Sequence, residues 1–306
     1  MEAIISFFKK PFRYAICFAF FLTAFSVYVL LDVFVIEKVY AVLEIPAVEN
    51  TEIQDIPPAE SDFIITDMSY HDANIDIEIE KFDENGVVFY VAEVKISDAK
   101  YLKTALAGGK FGKNITAKTS SMAEENDALF AVNGDYCGYR EEGVIMRNGQ
   151  ILRINPRTYG RCGLVIDKNG DLLMPDEKEL TKSKLEEIEA VQCFSFGPTL
   201  IVDGKININE TGKSKTDNPR TAIGQIGPLH YIFIVVDGRT RKSKGMEFPE
   251  LAEEFKKRGC IAAYNLDGGG SSTMWFNGKV INSPNDGKRA GEREISDIIY
   301  IAGGIK

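Results

Sequence analysis

Residues 265–274, with the sequence NLDGGGSSTM, contain the densest group of chemically useful side chains in the chain. Asp267 ends an apolar run and is followed by three glycines and three hydroxyl side chains: Gly268, Gly269, Gly270, Ser271, Ser272 and Thr273. Consecutive glycines let backbone N–H groups converge on an anion, and hydroxyls can add further donors. The segment predicts a cradle for an oxyanion or a phosphate. The alternative is a plain turn between strands, since the lysine of a Walker loop is missing.

Two other apolar runs also end in an acidic residue. Residues 232–239 place Asp237 and Arg239 directly after a run of β-forming residues, and residues 129–136 place Asn133 and Asp135 in the same way. Buried strands that deliver polar groups at their ends are a rigid way to hold reactive side chains. Aspartate also favours turns for purely local reasons, so each segment alone is compatible with a turn that has no chemical role.

Arg220 is a single cation at the start of another apolar run, NPRTAIG. A guanidinium can hold a phosphate through two parallel N–H bonds. If Arg220 and Arg239 meet the glycine segment in space, the site would accept a phosphorylated substrate, and two aspartates could serve as acid and as nucleophile or base. Glycosidic bond cleavage requires such a pair of carboxyl groups. A phosphate leaving group needs the acid less, because arginines can neutralise it.

The composition excludes several classes of protein. The 306 residues are 44% hydrophobic and 26% charged, which is typical of a folded domain. The formal net charge of -9 argues against nonspecific nucleic-acid binding, which needs a positive surface. His71 and His230 are the only histidines and lie far apart in the sequence, so neither a zinc site nor a Ser/His triad is expected.

The N-terminal segment is predicted to be a membrane helix. Residues 14–31 carry no charge, and the apolar character resumes after Asp32 as far as Ile36. The preceding basic residues are Lys9, Lys10 and Arg13. The length and the positive flank predict a cytoplasmic segment over residues 1–13 and a single transmembrane anchor over residues 14–36, with the rest of the chain outside. A cleaved signal peptide is the alternative and would export the same domain, then as a secreted protein.

Residues 37–61 are acidic and contain three prolines, which predicts a stalk that separates the membrane from a folded domain over residues 62–306. After residue 36 the chain has 33 basic and 43 acidic side chains, a net charge of -10. It should repel acidic surfaces except where arginines are concentrated. Its four cysteines either form disulfides, in one of three pairings, or remain small buried thiols: Cys137, Cys162, Cys193 and Cys260.

The pattern of the domain favours antiparallel sheet. Pairs of β-forming runs flank Asn85-Gly86, Asn148-Gly149 and Asn277-Gly278, and Asn-Gly is the strongest short signal for a hairpin. Helices are predicted over residues 176–190, with a capping box at the start, and from Pro249 to a stop at Gly259. We therefore expect one α+β domain, mainly antiparallel sheet packed with a few helices, behind one N-terminal transmembrane helix.

The chain resembles the phosphodiester glycosidases. The similarity lies in seven stretches that occur in the same order as in that family: AVNGDY at 131–136, GVIMRNGQI at 143–151, FGPTLIVDGK at 196–205, NPRTAIG at 218–224, VVDGR at 235–239, GMEFPELAEEF at 245–255 and NLDGGGSSTM at 265–274. Their joint occurrence is far more specific than any single motif. A polar closing segment that includes residues 284–287 and 292–293 is also similar. Cys137 is a departure from the family pattern, and the anchor and stalk lie outside the resemblance.

The resemblance implies hydrolysis of the bond between a sugar anomeric carbon, in an N-acetylglucosamine-like sugar, and a phosphodiester. It implies Asp135, Asp237 and Asp267 as catalytic candidates. It also implies that the other site residues bind the substrate or its phosphate: Asn133, Arg220, Arg239, Gly268, Gly269, Gly270, Ser271, Ser272 and Thr273. We place Asp267 nearest the anomeric carbon and both arginines on the phosphate. The setting would be cell-envelope or exopolysaccharide metabolism. The expected partners are a sugar-phosphate or phosphodiester-linked glycan as substrate and the membrane through the N-terminal helix, with no nucleic acid.

Two other functions remain open from the sequence. One is a non-catalytic protein that binds or assembles envelope polysaccharide and keeps the fold without turnover. The other is a metal-dependent phosphodiesterase in which the three aspartates hold Ca²⁺ or Mg²⁺, since hard cations take carboxylate oxygens. For the glycosidase itself no cofactor is required.

Overall fold

A computed structural model describes residues 11–43, 63–158, 161–212 and 216–303. Five α-helices lie in these ranges: α1 Pro11–Phe34, α2 Thr119–Glu125, α3 Lys182–Glu187, α4 Ile208–Thr211 and α5 Phe248–Lys257. Among the described residues, only α1 is long and apolar enough to cross a membrane, and the described domain does not bury it. It coincides with the predicted anchor.

The largest sheet in the described part of the chain has nine antiparallel strands. Numbered in chain order, they lie side by side as β15 Lys205–Ile206, β14 Thr199–Val202, β18 Ala262–Asn265, β16 Arg220–Gly227, β17 His230–Val236, β5 Val87–Ile96, β4 Ile75–Glu84, β3 Ser69–His71 and β2 Ile64–Ile65. This sheet contributes two of the predicted strand ends, those before Asp237 and Asp267.

Three smaller antiparallel sheets complete the described strands. The first orders β20 Lys279–Val280, β19 Met274–Phe276, β8 Ala128–Asn133, β21 Asp297–Ala302 and β6 Leu102–Leu106. The second orders β10 Gln150–Asn155, β9 Gly143–Arg147, β13 Ala190–Phe194, β11 Leu164–Asp167 and β12 Leu172–Leu173. The third pairs β1 Lys38–Val42 with β7 Lys110–Lys113. The predicted α+β class with predominantly antiparallel sheet is confirmed.

The main core lies between the nine-stranded sheet and the sheet that contains β8. Strand β17 shows how it is built, because successive residues bury opposite faces: Phe233 packs on Phe130 of β8 with ring centroids 5.1 Å apart, whereas Ile232 and Ile234 face the cluster that holds α5. Helix α2 covers the outer face of the β8 sheet through Met122. Both sheets are thus fixed from two sides, and so are the loops at their strand ends.

All three predicted Asn-Gly hairpins are present, between β4 and β5, β9 and β10, and β19 and β20. Both residues of each turn have positive φ, as the type I′ turn requires. Helix α5 also matches the prediction: it has a capping box from Glu247 and Glu250, and Gly259 follows its end with a φ of 78°.

The helix predicted over residues 176–190 is wrong in its extent. A short 3-10 turn, Glu177–Glu179, precedes α3, and β13 begins at Ala190. Glu177 is fully buried and accepts hydrogen bonds from Arg157, which fixes the turn, and the Thr181 side chain caps α3 by accepting from the Lys184 N–H. These tertiary contacts outweigh the continuous helical pattern.

The predicted stalk also differs at its start. Lys38–Val42 forms strand β1 and pairs with β7 of the domain, with Lys38 opposite Lys113. An extended segment next to an open strand edge satisfies its backbone groups by pairing, which local composition does not reveal. The rest of the stalk, residues 44–61, lies outside the described residues. The five cysteines are free thiols.

Candidate functional site

Three strand ends and one strand start meet at one place. Antiparallel pairing puts Arg220 at the start of β16 opposite Val236 at the end of β17, and Ala222 opposite Asn265 at the end of β18. Strand β8 ends beside them, because the Asp267 N–H donates to the Gly134 carbonyl at 3.0 Å. The predicted convergence of distant motifs is therefore present in the fold.

Asn133 ties these strand ends together. Its amide nitrogen donates to the Asp267 carbonyl at 2.7 Å, and its amide oxygen accepts from the Thr221 hydroxyl at 2.7 Å and from the Thr273 N–H at 3.2 Å. The side chain is fully buried. Sequence reasoning assigned Asn133 to substrate binding, but these contacts give it a positioning role, holding the glycine loop (residues 267–273) on the end of β8.

Asp267 and Arg293 form the ion pair that we call the site pair. Arg293 Nη2 donates to Asp267 Oδ2 at 3.0 Å and to Ser271 Oγ at 2.6 Å, and its Nε donates to the same hydroxyl at 3.1 Å. The side chain of Asp267 is 12% exposed and that of Arg293 is 41% exposed. Burial raises the pKa of Asp267, while Ser271 and Arg293 oppose that rise. A carboxylate in this environment can respond to charge that develops on a substrate.

Arg239, which follows the end of β17, lies against the glycine loop. Its backbone has a φ of 57°, and its guanidinium donates to the Asn218 side chain at 3.0 Å and to the Asp286 carbonyl at 3.2 Å. A Cβ on Gly269, which has a φ of 63°, would lie 3.1 Å from Arg239 Nη2. Glycine therefore lets this cation approach the loop backbone, and residues held in such sparsely populated conformations cluster at functional sites.

Arg220 is a buried cation near Arg239. Its guanidinium stacks 3.8 Å above the Phe248 ring and donates to the carbonyls of Met246 and Thr216. Burial lowers the pKa of Arg220 to about 10, and the positive charge of Arg239 acts in the same direction. The negative charge of Asp217 opposes this lowering, but among the described residues neither guanidinium forms an ion pair with a carboxylate, which leaves positive charge for an anion.

Asp237 joins the glycine loop through Asn282. The Asn282 amide donates to Asp237 Oδ1 at 3.0 Å and to the Ser272 carbonyl at 3.0 Å, and the Ser283 N–H also donates to Asp237 Oδ1. Burial raises the pKa of Asp237, and the bonds from Ser283 and Asn282 oppose this effect. Asp237 therefore belongs to the same neighbourhood as the loop.

Four backbone N–H groups of the loop already have acceptors in the protein, so the cradle predicted from three consecutive glycines is closed in part. The Gly269 N–H donates to the Pro219 carbonyl, the Ser271 and Ser272 N–H groups donate within the loop, and the Thr273 N–H donates to Asn133. The loop closes into a 3-10 turn, Gly269–Ser271. Among the described residues, the buried hydroxyls of Ser272 and Thr273 have no hydrogen-bond partner. These two hydroxyls and the arginines are therefore donors that the site offers to an anion.

Asp135 lies in a different environment, the buried ion cluster of Asp135, Arg147 and Asp297. Arg147 Nη2 donates to Asp135 Oδ1 at 3.0 Å and to Asp297 Oδ2 at 2.7 Å, and all three side chains are at most 1% exposed. The other Asp135 oxygen accepts from the Ser195 N–H at 2.7 Å. The structure does not support the predicted catalytic role of Asp135, because both carboxylate oxygens are already bonded to the protein.

The three aspartates proposed as metal ligands do not converge either. Within the described ranges, the group with metal-ligand spacing is Asp135, Cys137 and Asp297. Arg147 donates to both of these carboxylates, so its positive charge stands where a cation would. That donor set fits a guanidinium better than a divalent ion.

Sequence reasoning gave no role to three residues of this neighbourhood: Arg293, Asn282 and Asp286. Arg293 and Asp286 belong to the polar closing segment that the family resemblance singled out, whereas Asn282 lies before it. A cavity of about 880 Å³ in the described part of the chain contains none of the site residues in its lining. Hydrogen bonding and charge, and not this cavity, therefore locate the site.

Comparisons with known proteins show the family to which the chain belongs. The family model for phosphodiester glycosidase matches residues 126–302. The SPbeta prophage-derived uncharacterized protein YomE of Bacillus subtilis (strain 168) is 30% identical over 201 residues, which are 63% of this chain and 30% of that protein. Human N-acetylglucosamine-1-phosphodiester alpha-N-acetylglucosaminidase is 33% identical over 111 residues, which are 31% of this chain and 21% of the human protein. The chain thus spans less than a third of either relative.

A solved structure extends the similarity to the fold. The catalytic domain of zebrafish N-acetylglucosamine-1-phosphodiester alpha-N-acetylglucosaminidase, auto-inhibited by its pro-peptide, superimposes with a TM-score of 0.60 at 25% identity, over 75% of this chain and 83% of that chain. The family match covers more than half of the chain and includes Asn133, Arg220, Arg239, Asp267 and Arg293. The chain belongs to the phosphodiester glycosidase family.

Proposed function

We propose that this protein is an exported hydrolase that cleaves the bond between a sugar anomeric carbon and a phosphodiester, with N-acetylglucosamine as the sugar. The observation that carries the proposal is the site pair: a nearly buried carboxylate beside Arg293, in a loop that Arg239 also touches. The names of the human and zebrafish relatives support the choice of sugar and bond.

In this proposal Asp267 supports the positive charge that develops at the anomeric carbon. The bond from that carbon to the phosphate oxygen breaks, the phosphate leaves as a monoester, and water supplies the new oxygen on the sugar. Arg220 and Arg239 hold the departing phosphate, which reduces the need for a general acid. Asp237 is the second carboxyl group of the site, and its raised pKa suits a group that carries a proton.

No metal is required in this proposal, because arginines supply the positive charge at the phosphate. The domain acts outside the cell, held by α1 as a single-pass anchor, and its substrates are glycans of the cell envelope or exopolysaccharide. The apolar character of α1 supports export, either as an anchor or as a signal peptide.

The test measures release of reducing N-acetylglucosamine from UDP-N-acetylglucosamine and from a synthetic sugar-1-phosphodiester. We expect release by the wild-type chain, loss of release in Asp267→Asn, and full release in Asp203→Asn, which changes an exposed aspartate in the turn between β14 and β15. EDTA should leave the rate unchanged. An absence of release from a panel of sugars would favour the non-catalytic polysaccharide-binding role. Loss of activity on chelation, with the sugar-phosphate bond intact in the product, would favour the metal phosphodiesterase.

A further inference from the structure

The end of the N-terminal helix is bonded directly to the domain. The Asn114 side chain donates to the carbonyls of Val33 and Ile36, at 3.2 and 3.0 Å, and so caps the C-terminal end of α1. Strand β1 begins two residues after Ile36 and pairs with β7. If α1 crosses a membrane as proposed, these contacts fix one face of the domain next to the membrane surface.

A pocket of about 340 Å³ lies on that face. One wall is aromatic, because Tyr40 of β1 and Phe111 of β7 pack with ring centroids 6.2 Å apart. The wall also contains Tyr139 and three basic residues: Lys113, Arg140 and Arg153. We call this space the basic pocket.

The cations of the basic pocket are not neutralised. Among the described residues, Lys113, Arg140 and Arg153 have no carboxylate within ion-pair distance, and Glu141 is the acidic residue of the lining. The Arg153 guanidinium donates to four backbone carbonyls, and the Arg140 guanidinium stacks 4.4 Å above the Phe196 ring and donates to the Ser195 carbonyl. Lys113 is thus the cation of this wall whose charged group has no hydrogen-bond partner among the described residues. In a chain whose part after residue 36 has a net charge of -10, a pocket with this excess of positive charge is fitted for an anion.

The basic pocket adjoins the segment that carries Arg293. The Gly138 N–H donates to the Ser296 hydroxyl at 3.1 Å, and Ser296 follows Arg293 by three residues. Burial raises the pKa of Tyr139, and a hydrogen bond with Thr116 and the positive charge of Arg293 oppose this rise. The pocket thus lies between the membrane end of the domain and the proposed catalytic residues.

We infer that the basic pocket is a second anion subsite, which holds a further phosphate along a membrane-borne glycan or polyol phosphate chain while Asp267 faces the bond to be cleaved. The nature of the polymer rests on the proposed function. The aromatic wall would contact the polyol or sugar between phosphates, and the cations would contact the phosphate itself.

The test uses the full chain in phosphatidylcholine nanodiscs and a 1,3-linked glycerol phosphate trimer, which contains no sugar-1-phosphate bond. Isothermal titration should show binding by the wild type, and Lys113→Glu should weaken it by about fivefold or more. Lys113→Arg keeps the charge and should retain the wild-type affinity. Lys205→Glu, a change on an exposed hairpin, should leave the affinity unchanged. Asp267→Asn should retain binding of the trimer even though it abolishes hydrolysis.

Hydrolysis of a short soluble sugar-1-phosphodiester reports that Lys113→Glu is folded, and its rate should equal that of the wild type. Absence of trimer binding, an equal loss in Lys113→Glu and Lys205→Glu, or equal affinity for inorganic phosphate would overturn the inference. Abolition of trimer binding by phosphatidylglycerol in the nanodisc would also overturn it and would assign the pocket to a lipid headgroup. Trimer binding without hydrolysis of any sugar phosphate would instead refute the proposed function alone.

Discussion

The buried ion cluster and the site pair use the same chemistry for different purposes. In the cluster, Arg147 donates to two carboxylates that are at most 1% exposed, and the second oxygen of Asp135 accepts from the Ser195 backbone N–H. In the site pair, Arg293 is 41% exposed and shares its donors between Asp267 and Ser271. An ion pair closed to solvent fixes the fold, whereas a pair with an exposed guanidinium can exchange partners with a ligand. Exposure to solvent, not residue type, separates the two.

The largest expected effect comes from Arg147→Met, which leaves Asp135 and Asp297 buried without a counter-charge. We expect the free energy of unfolding to fall by about 3–5 kcal/mol, the usual result of breaking a buried ion pair from one side. Denaturant unfolding of the purified chain measures it. The triple variant Asp135→Asn/Arg147→Met/Asp297→Asn should recover at least half of the loss, because it also removes the charges. A loss below about 1 kcal/mol in the single variant would show that the cluster is not structural.

The same Asp→Asn substitution should have different effects in the site pair and in the buried ion cluster. Asp267→Asn should reduce kcat for the sugar-1-phosphodiester by about 10²–10⁴-fold with little loss of stability, since it removes a carboxylate that acts in the reaction. Asp135→Asn should lower the free energy of unfolding while the folded fraction keeps a kcat within about threefold of the wild type. Equal losses of kcat in both variants would return Asp135 to the catalytic set.

The sequence predicted the strand ends because their determinants are local. Short continuous runs of apolar residues specify β8, β17 and β18 up to Asn133, Val236 and Asn265, and the carboxylates follow within two residues. The direction of Asp135 could not be predicted in this way. The strand ends at Asn133, and Tyr136 has a φ of 70°, so the two-residue alternation of side chains no longer applies.

Arg293 and Arg147 were not predictable as partners, because each reaches its carboxylate through long-range contacts. Arg147 lies 150 residues before Asp297, and Arg293 lies in a polar loop with no periodicity. The close fit at Gly134, where a Cβ would lie 2.1 Å from the Asp297 carboxylate, likewise appears only once β8 and β21 are paired. Such contacts depend on topology, which single-sequence patterns do not contain.

Arg293→Lys is a more conservative change in the site pair, because it keeps the positive charge. A lysine cannot reproduce the two donor groups that Arg293 directs to Asp267 and Ser271, so we expect kcat/KM to fall by about tenfold, the equivalent of one charged hydrogen bond. Thermal unfolding should change little, because the Arg293 side chain is 41% exposed and a lysine can place its charge in solvent. Arg258→Lys, which keeps a charge next to Glu254 on α5, is the matched control and should leave kcat/KM unchanged. A strong loss of stability in Arg293→Lys would make the site pair a second structural cluster.

The smallest expected effect is the pH dependence of stability at Asp267. Burial raises the pKa of Asp267 in the folded chain above the unfolded value of 3.8, so the folded state holds this proton more tightly. Its contribution to the free energy of unfolding is therefore fully present below pH 3.8 and is lost as the pH rises through the folded pKa. Asparagine does not titrate, so the variant lacks this contribution. Asp237 also has a raised pKa, but it is present in both the wild type and the variant, so its contribution cancels in the comparison. The stability of Asp267→Asn relative to wild type should therefore increase from pH 4 to pH 7, by less than about 1 kcal/mol. Denaturant unfolding at both pH values measures this difference. A relative stability of Asp267→Asn that falls from pH 4 to pH 7 would mean that Arg293 stabilises the carboxylate more than burial destabilises it.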